Sequence, residues 1–208
     1  MLNLIASALK RNDEIPNIEL AQSIVESQNE DGIREIASGL NKDMGTANDC
    51  IKVLYEVGER DPKLIEPYAD VFLDLLKSKN NRLVWGAMTA LGQITPLCPK
   101  KVFDRFDDVQ AAFKMGSVIT IDHSISVFAE LSKASKVFEQ KALPILINHF
   151  LTCRAKEIPQ HLERASVCIT RGNAVLFKSI IQKRYNDMTM SQQGRVNKVL
   201  KKIDRLLE

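Results

Sequence analysis

A repeat of 37 residues constrains this chain more than any other feature. The segment Cys50-Ile51-Lys52-Val53-Leu54-Tyr55-Glu56-Val57 recurs as Ala87-Met88-Thr89-Ala90-Leu91-Gly92-Gln93-Ile94, and again as Ser124-Ile125-Ser126-Val127-Phe128-Ala129-Glu130-Leu131. Apolar slots fall on apolar slots (51/88/125, 54/91/128, 57/94/131), and polar slots fall on polar ones. A fixed period of this size with helical patterning is the signature of stacked helical units, none of which can bury its apolar face alone. The expected fold class is all-α: an α-α superhelix, a solenoid of about five helix pairs over residues 1–208. Within it residues 1–45 are irregular, 46–171 carry the clearest repeats, and 172–208 form a basic C-terminal helix pair.

The periodicity sets local expectations. Apolar positions 47, 50, 51, 54 and 57 keep one stripe inward at the 3.6-residue period. Gly58 and Pro62 read as a stop and a new start. The following helix, from Leu64 to about Leu76, is expected to bury Leu64, Tyr68, Val71, Phe72 and Leu75, with Pro67 in its first turn. Asn81 is the expected N-cap of the next helix, which ends near Thr95. Helices are further expected over 100–113, 117–132, 136–152, 173–186 and 191–207. Leu162, Ala165, Cys168 and Ile169 form a stripe ending near Gly172. Segments 17–28 and 31–40 read as two short helices. No strand pattern of period two occurs.

The stretch from Asn80 to Ile94 resembles a HEAT repeat. The second helix of that family commonly ends in Ala-Leu-Gly-x-Ile/Leu, as Ala90 to Ile94 does here. Its first helix often carries a Pro before a Leu-rich stripe, and Pro67 to Leu76 is similar. The resemblance implies a right-handed, armadillo-like superhelix whose second helices line a concave face. It implies a binding scaffold and no reaction.

If 50, 51, 54 and 57 face inward, then 48, 52, 55, 56 and 59 face outward. The rows that result are Asn48, Lys52, Tyr55, Glu56 and Glu59; Trp85, Thr89 and Gln93; and Asp122, Ser126 and Glu130. Trp85, the only tryptophan, falls where the flanking repeats have Asn48 and Asp122. An aromatic on a polar face is a candidate anchor, with Tyr55 expected beside it. The candidate partner-binding set is therefore Tyr55, Glu56, Trp85, Thr89, Gln93, Asp122, Ser126 and Glu130. The partner expected is a protein or peptide.

Charge offers a second candidate. Residues 1–132 carry 14 Lys and Arg against 20 Asp and Glu, whereas residues 133–208 carry 15 against 6. Lys183, Arg184, Arg195, Lys198, Lys201, Lys202 and Arg205 lie on the last two expected helices. Such a stripe can follow a phosphate backbone, so a nucleic-acid-binding module is the alternative function. A relative of the HEAT-like alkylpurine DNA glycosylases is a third reading, although their aromatic-rich concave face is missing here.

Other classes find less support. His123, His149 and His161 have no Cys or Asp partner at triad or metal-ligand spacing, and no P-loop, GxGxxG, HExxH or GxSxG occurs. No catalytic residue, metal or cofactor is expected. Cys50 and Cys168 occupy apolar slots, as buried thiols would, and there is no CxxC pair. In Met1 to Arg11 the charges follow the apolar residues, the reverse of a secretory signal, and no apolar run approaches the length needed to cross a bilayer. A cytoplasmic protein without a membrane partner is expected, its oligomeric state open.

Overall fold

A computed structural model describes residues 1–208. It is all-α and solenoid-like, with twelve α-helices, short 3-10 turns between them and no strand. The helices are α1 (Ile15–Glu26), α2 (Glu30–Ser38), α3 (Met44–Arg60), α4 (Ala69–Leu75), α5 (Asn81–Ile94), α6 (Pro99–Asp104), α7 (Phe106–Met115), α8 (Val118–Ala134), α9 (Lys136–Thr152), α10 (Ile158–Ala165), α11 (Ala174–Arg184) and α12 (Met190–Leu207). Two compact units divide the chain, Met1–Ser124 and Ile125–Glu208.

Side-chain caps set many of the helix starts. Asn29 accepts from the Gly32 N–H, Asp43 from Thr46 and Ser135 from Phe138. Thr189 and Gln192 form a reciprocal capping box at the start of α12. Each such cap satisfies backbone donors that have no partner inside the helix. Pro16, Pro99 and Pro159 sit within the first two residues of α1, α6 and α10, where a missing N–H costs nothing. Helix α1 ends as Gln28 enters the left-handed region at φ 49° and the Asn29 N–H reaches back to the Ile24 carbonyl.

In the first unit α3 is the central element. It packs against α1 on one flank and α5 on the other, and α4 packs on α5. Every residue from Cys50 to Gly58 is buried. The approach of α3 to α5 depends on two glycines. A Cβ on Gly86 of α5 would lie 2.6 Å from Cγ1 of Ile51 on α3, and one on Gly58 of α3 would meet the side-chain amide of Gln93 on α5. The N-terminal segment is tied down by a polar clasp. Fully buried Asn17 accepts from the Ala6 N–H at 2.9 Å and donates to Asp49 at 2.9 Å, and Asp49 accepts from the Ser7 N–H at 2.7 Å.

In the second unit α10 and α11 both pack on α12, and α9 packs on α11. Phe150 and Phe177 meet edge to face, with ring centroids 6.1 Å apart. Leu162, Ala165, Cys168 and Ile169 are buried as expected, although α10 stops at Ala165 and a 3-10 turn covers Ser166–Cys168.

Three local expectations are corrected. The cap of α5 is Asn80, one residue before Asn81, and its side chain accepts from the Arg82 N–H. The helix expected over 100–113 is broken at Arg105 into α6 and α7. The helix expected from Leu64 begins only at Ala69, because 3-10 turns occupy Pro62–Leu64 and Glu66–Tyr68. A 3-10 turn advances 3.0 rather than 3.6 residues per turn. The apolar stripe consequently slips by one, and the buried set is Ile65, Ala69, Phe72, Leu73 and Leu76, leaving Val71 37% exposed.

This slip is measurable. Leu73→Ala should destabilise the chain by roughly 2–4 kcal/mol in urea unfolding, whereas Val71→Ala should stay within about 0.5 kcal/mol. Equal losses would restore the stripe read from the sequence.

Candidate functional site

The residues expected on the outer rows of α3 and α5 come together as one polar and aromatic cluster. On α3, positions 52, 56 and 60 are four apart and share a face; on α5, positions 85, 89 and 93 do the same. Glu14, just before α1, closes the third side. Lys52 Nζ lies 2.6 Å from Glu56 Oε1 and 3.1 Å from Glu14 Oε2. Arg60 donates to Glu56 Oε2 at 2.7 Å and to its main-chain carbonyl at 2.6 Å. The Arg82 guanidinium pairs with the other oxygen of Glu14.

The aromatic pair sits over this network. The Tyr55 and Trp85 rings are 5.6 Å apart, tilted by 50°. Lys52 lies 4.8 Å from the Tyr55 ring centre, and the Arg82 guanidinium lies 5.8 Å from that of Trp85, both within cation–π range. Gln93 donates to the Tyr55 carbonyl at 3.1 Å, and the Thr89 hydroxyl donates to the Trp85 carbonyl at 2.8 Å. Gln93 Oε1 and Arg82 Nε are buried without a partner. Gly58 makes room for that amide, since a Cβ there would stand 2.3 Å from Gln93 Oε1.

The outward row therefore differs from expectation. Lys52, Tyr55, Glu56 and Thr89 are buried, because the flanks of α3 are covered by α1 and α5. Trp85 and Gln93 remain half-exposed. Asp122, Ser126 and Glu130 form a separate half-exposed row along α8. Ser126 accepts from Arg164 at 3.0 Å, and Glu130 lies 3.7 Å from Lys133.

Burial disfavours the charged forms of Lys52 and Glu56. It works against the Lys52 ammonium, but hydrogen bonds to Glu56, Tyr55 and Glu14 outweigh it and hold the ammonium above its usual range. Burial likewise works against the Glu56 carboxylate, yet Lys52 and Arg60 hold it below the ordinary range. Burial raises the Tyr55 hydroxyl, with Lys52 opposing.

The basic residues of the C-terminal helices are partly committed. Arg184 donates to the carbonyls of Phe150 and Cys153, both at 2.9 Å, and to Asp187 at 2.6 Å. Arg195 forms a two-bond pair with Glu163, and Lys202 donates to the Ser166 carbonyl at 2.9 Å. Lys183, Lys198, Lys201 and Arg205 are exposed.

One constellation was missed. His149, Cys153 and His161 present ligand-capable atoms all within 4.8 Å of one another. The expectation that no histidine has a cysteine partner is corrected here. His149 and Cys153 are four apart at the end of α9, and α10 carries His161 back beside them. The signal was a Hisx3Cys spacing across a helix end, followed by a short turn and a second histidine. Burial pushes the Cys153 thiol up to about 11, with Arg184 opposing.

With this geometry in place, the chain can be set beside known proteins. No protein-family model matches it, and no curated protein matches it. An engineered protein of known crystal structure has a similar fold, with TM-score 0.69 and 12% identity, over 98% of this chain and 96% of that one. At that identity the likeness concerns the fold alone. No helix is long and apolar enough to cross a membrane.

The Lys52–Glu56 pair sets a pH dependence. Because Glu56 is held below its ordinary value, about 4.3 in a free chain, its contribution is complete above that value and is lost as pH falls through the folded one. Stability should thus drop on acidification, and Glu56→Gln should make the drop between about pH 5 and pH 2 shallower in urea midpoints. Lys52→Met, which leaves Glu56 with Arg60 as its one charged partner, should cost roughly 2–3 kcal/mol at neutral pH.

Proposed function

We propose that this chain is a non-enzymatic binding module built from HEAT-like repeats, and that its first unit takes a peptide or protein with Trp85 as the anchor. The observation that carries this reading is the state of the indole. It is half-exposed, yet held from two sides by Tyr55 at 5.6 Å and by Arg82 at 5.8 Å. Trp, Tyr and Arg dominate measured interface anchors, and a side chain already fixed in place loses little freedom on binding. The buried members of the row, Tyr55, Glu56 and Thr89, act beneath the surface as supports. Contact falls to Trp85 and the accessible edges of Gln93, Arg82 and Glu14, the Gln93 amide itself being turned inward. A partner presenting an apolar side chain beside a charged or amide group matches that surface.

The chain contains one tryptophan, so Trp85 reports on its own site. Proteins cross-linked to the chain in native extract should include one that shifts or quenches Trp85 emission when titrated in pure form. Trp85→Ala should weaken that complex about 30-fold or more; losing its contacts to Tyr55 and Arg82 should cost about 1–2 kcal/mol in urea unfolding while the helical circular dichroism is kept. Unchanged affinity would remove Trp85 as the anchor. Duplex DNA bound at low salt, released steeply with added salt and dependent on Lys198, Lys201 and Arg205, would transfer the function to the basic helices instead.

A further inference from the structure

The corner where α9 meets α10 gathers three groups that the binding role does not use. His161 is fully buried and His149 nearly so, while Cys153 is half-buried. The two imidazoles face each other, with His149 Nε2 2.8 Å from His161 Nδ1. The position of Cys153 is fixed twice. Its N–H donates to the His149 carbonyl at 2.8 Å, and its own carbonyl accepts from Arg184 at 2.9 Å. Two nitrogens from buried histidines and a sulfur from a half-buried cysteine are a donor set suited to a borderline-soft ion.

We propose that His149, Cys153 and His161 form a transition-metal site of the zinc class, which takes Zn(II) and staples the end of α9 to the start of α10. In a tetrahedral zinc centre, ligand atoms stand about 3.3–3.6 Å apart. Here they lie within 4.8 Å, so closing on an ion requires movements on the order of 1 Å. The two imidazole nitrogens would part by about 0.5 Å as the ion replaces the proton between them. Binding releases the thiol proton, while the proton between the rings passes to the far nitrogen of His149, giving two neutral imidazoles and one thiolate. Water takes the fourth position. Glu157, the residue before α10, lies close to this corner and is itself paired with Arg154. Arg184, tied to two carbonyls of the α9 end, holds the thiol-bearing residue in register before any ion arrives.

The test uses the full chain, stripped with chelator and titrated with Zn(II) alone, then with Co(II) as a spectroscopic substitute. One equivalent of Zn(II) should bind and raise the thermal midpoint. Co(II) should show the intense near-ultraviolet band of a thiolate ligand. Cys153→Ser should abolish that band and weaken Zn(II) binding about tenfold or more, and His149→Gln should weaken it similarly. Both variants should keep the wild-type helical circular dichroism in chelator, which separates ligand loss from unfolding. Cys98→Ser, altering the other half-buried thiol, should change nothing. The proposal fails if the wild type binds less than one equivalent, if Cys153→Ser leaves affinity unchanged, or if Cys98→Ser lowers it as much.

Discussion

The interdigitation of α3 with α5 is the contact on which the first unit depends. Ile51 of α3 is fully buried against the bare backbone of Gly86 on α5, and Gln93 of α5 lies against Gly58 of α3. Glycine inside a helix costs about 1 kcal/mol relative to alanine. Here it allows two helices to meet at a separation no β-carbon would tolerate. That approach places Gln93 against the Tyr55 carbonyl and Trp85 against the Tyr55 ring. The candidate anchor is thus a consequence of packing at the residue next to it.

Polarity in the same region follows from the same crowding. With α1 and α5 on both flanks, α3 has little surface to give to water. Its lysine and glutamate cannot discharge without leaving partners stranded, so they neutralise each other and recruit Glu14 and Arg60. A buried ion pair of this kind adds little net stability over an apolar pair, but removing one member is costly. Glu14, paired with both Lys52 of α3 and Arg82 of α5, ties the two helices together beside Trp85.

Much of the fold was legible in the sequence because the repeat carries it. Cys50, Ala87 and Ser124, aligned at a spacing of 37, are each completely buried, on α3, α5 and α8. What was not legible has identifiable causes. The slip to Ile65, Ala69, Phe72, Leu73 and Leu76 came from two proline-bearing 3-10 turns, which the 3.6-residue period does not describe. Burial of Lys52 and Glu56 came from a third helix, α1, lying on a face that a two-sided periodicity assigns to solvent. The His149–Cys153–His161 cluster is formed by a reversal of the chain between two helices, whereas a paired-cysteine search looks along one segment. Trp85 stood out because a lone aromatic in a polar slot is visible without any structure.

The most direct test of this account is a double-mutant cycle on Ile51 and Gly86, read by urea unfolding. Gly86→Val alone should destabilise by about 1–3 kcal/mol through overpacking, and Ile51→Ala alone by about 2–4 kcal/mol through a cavity. Because the new valine would fill the space left by the isoleucine, the double variant should be more stable than the sum by about 1 kcal/mol or more. Additivity within about 0.5 kcal/mol would mean that the two side chains do not share that space, and the arrangement of α3 on α5 described here would be wrong.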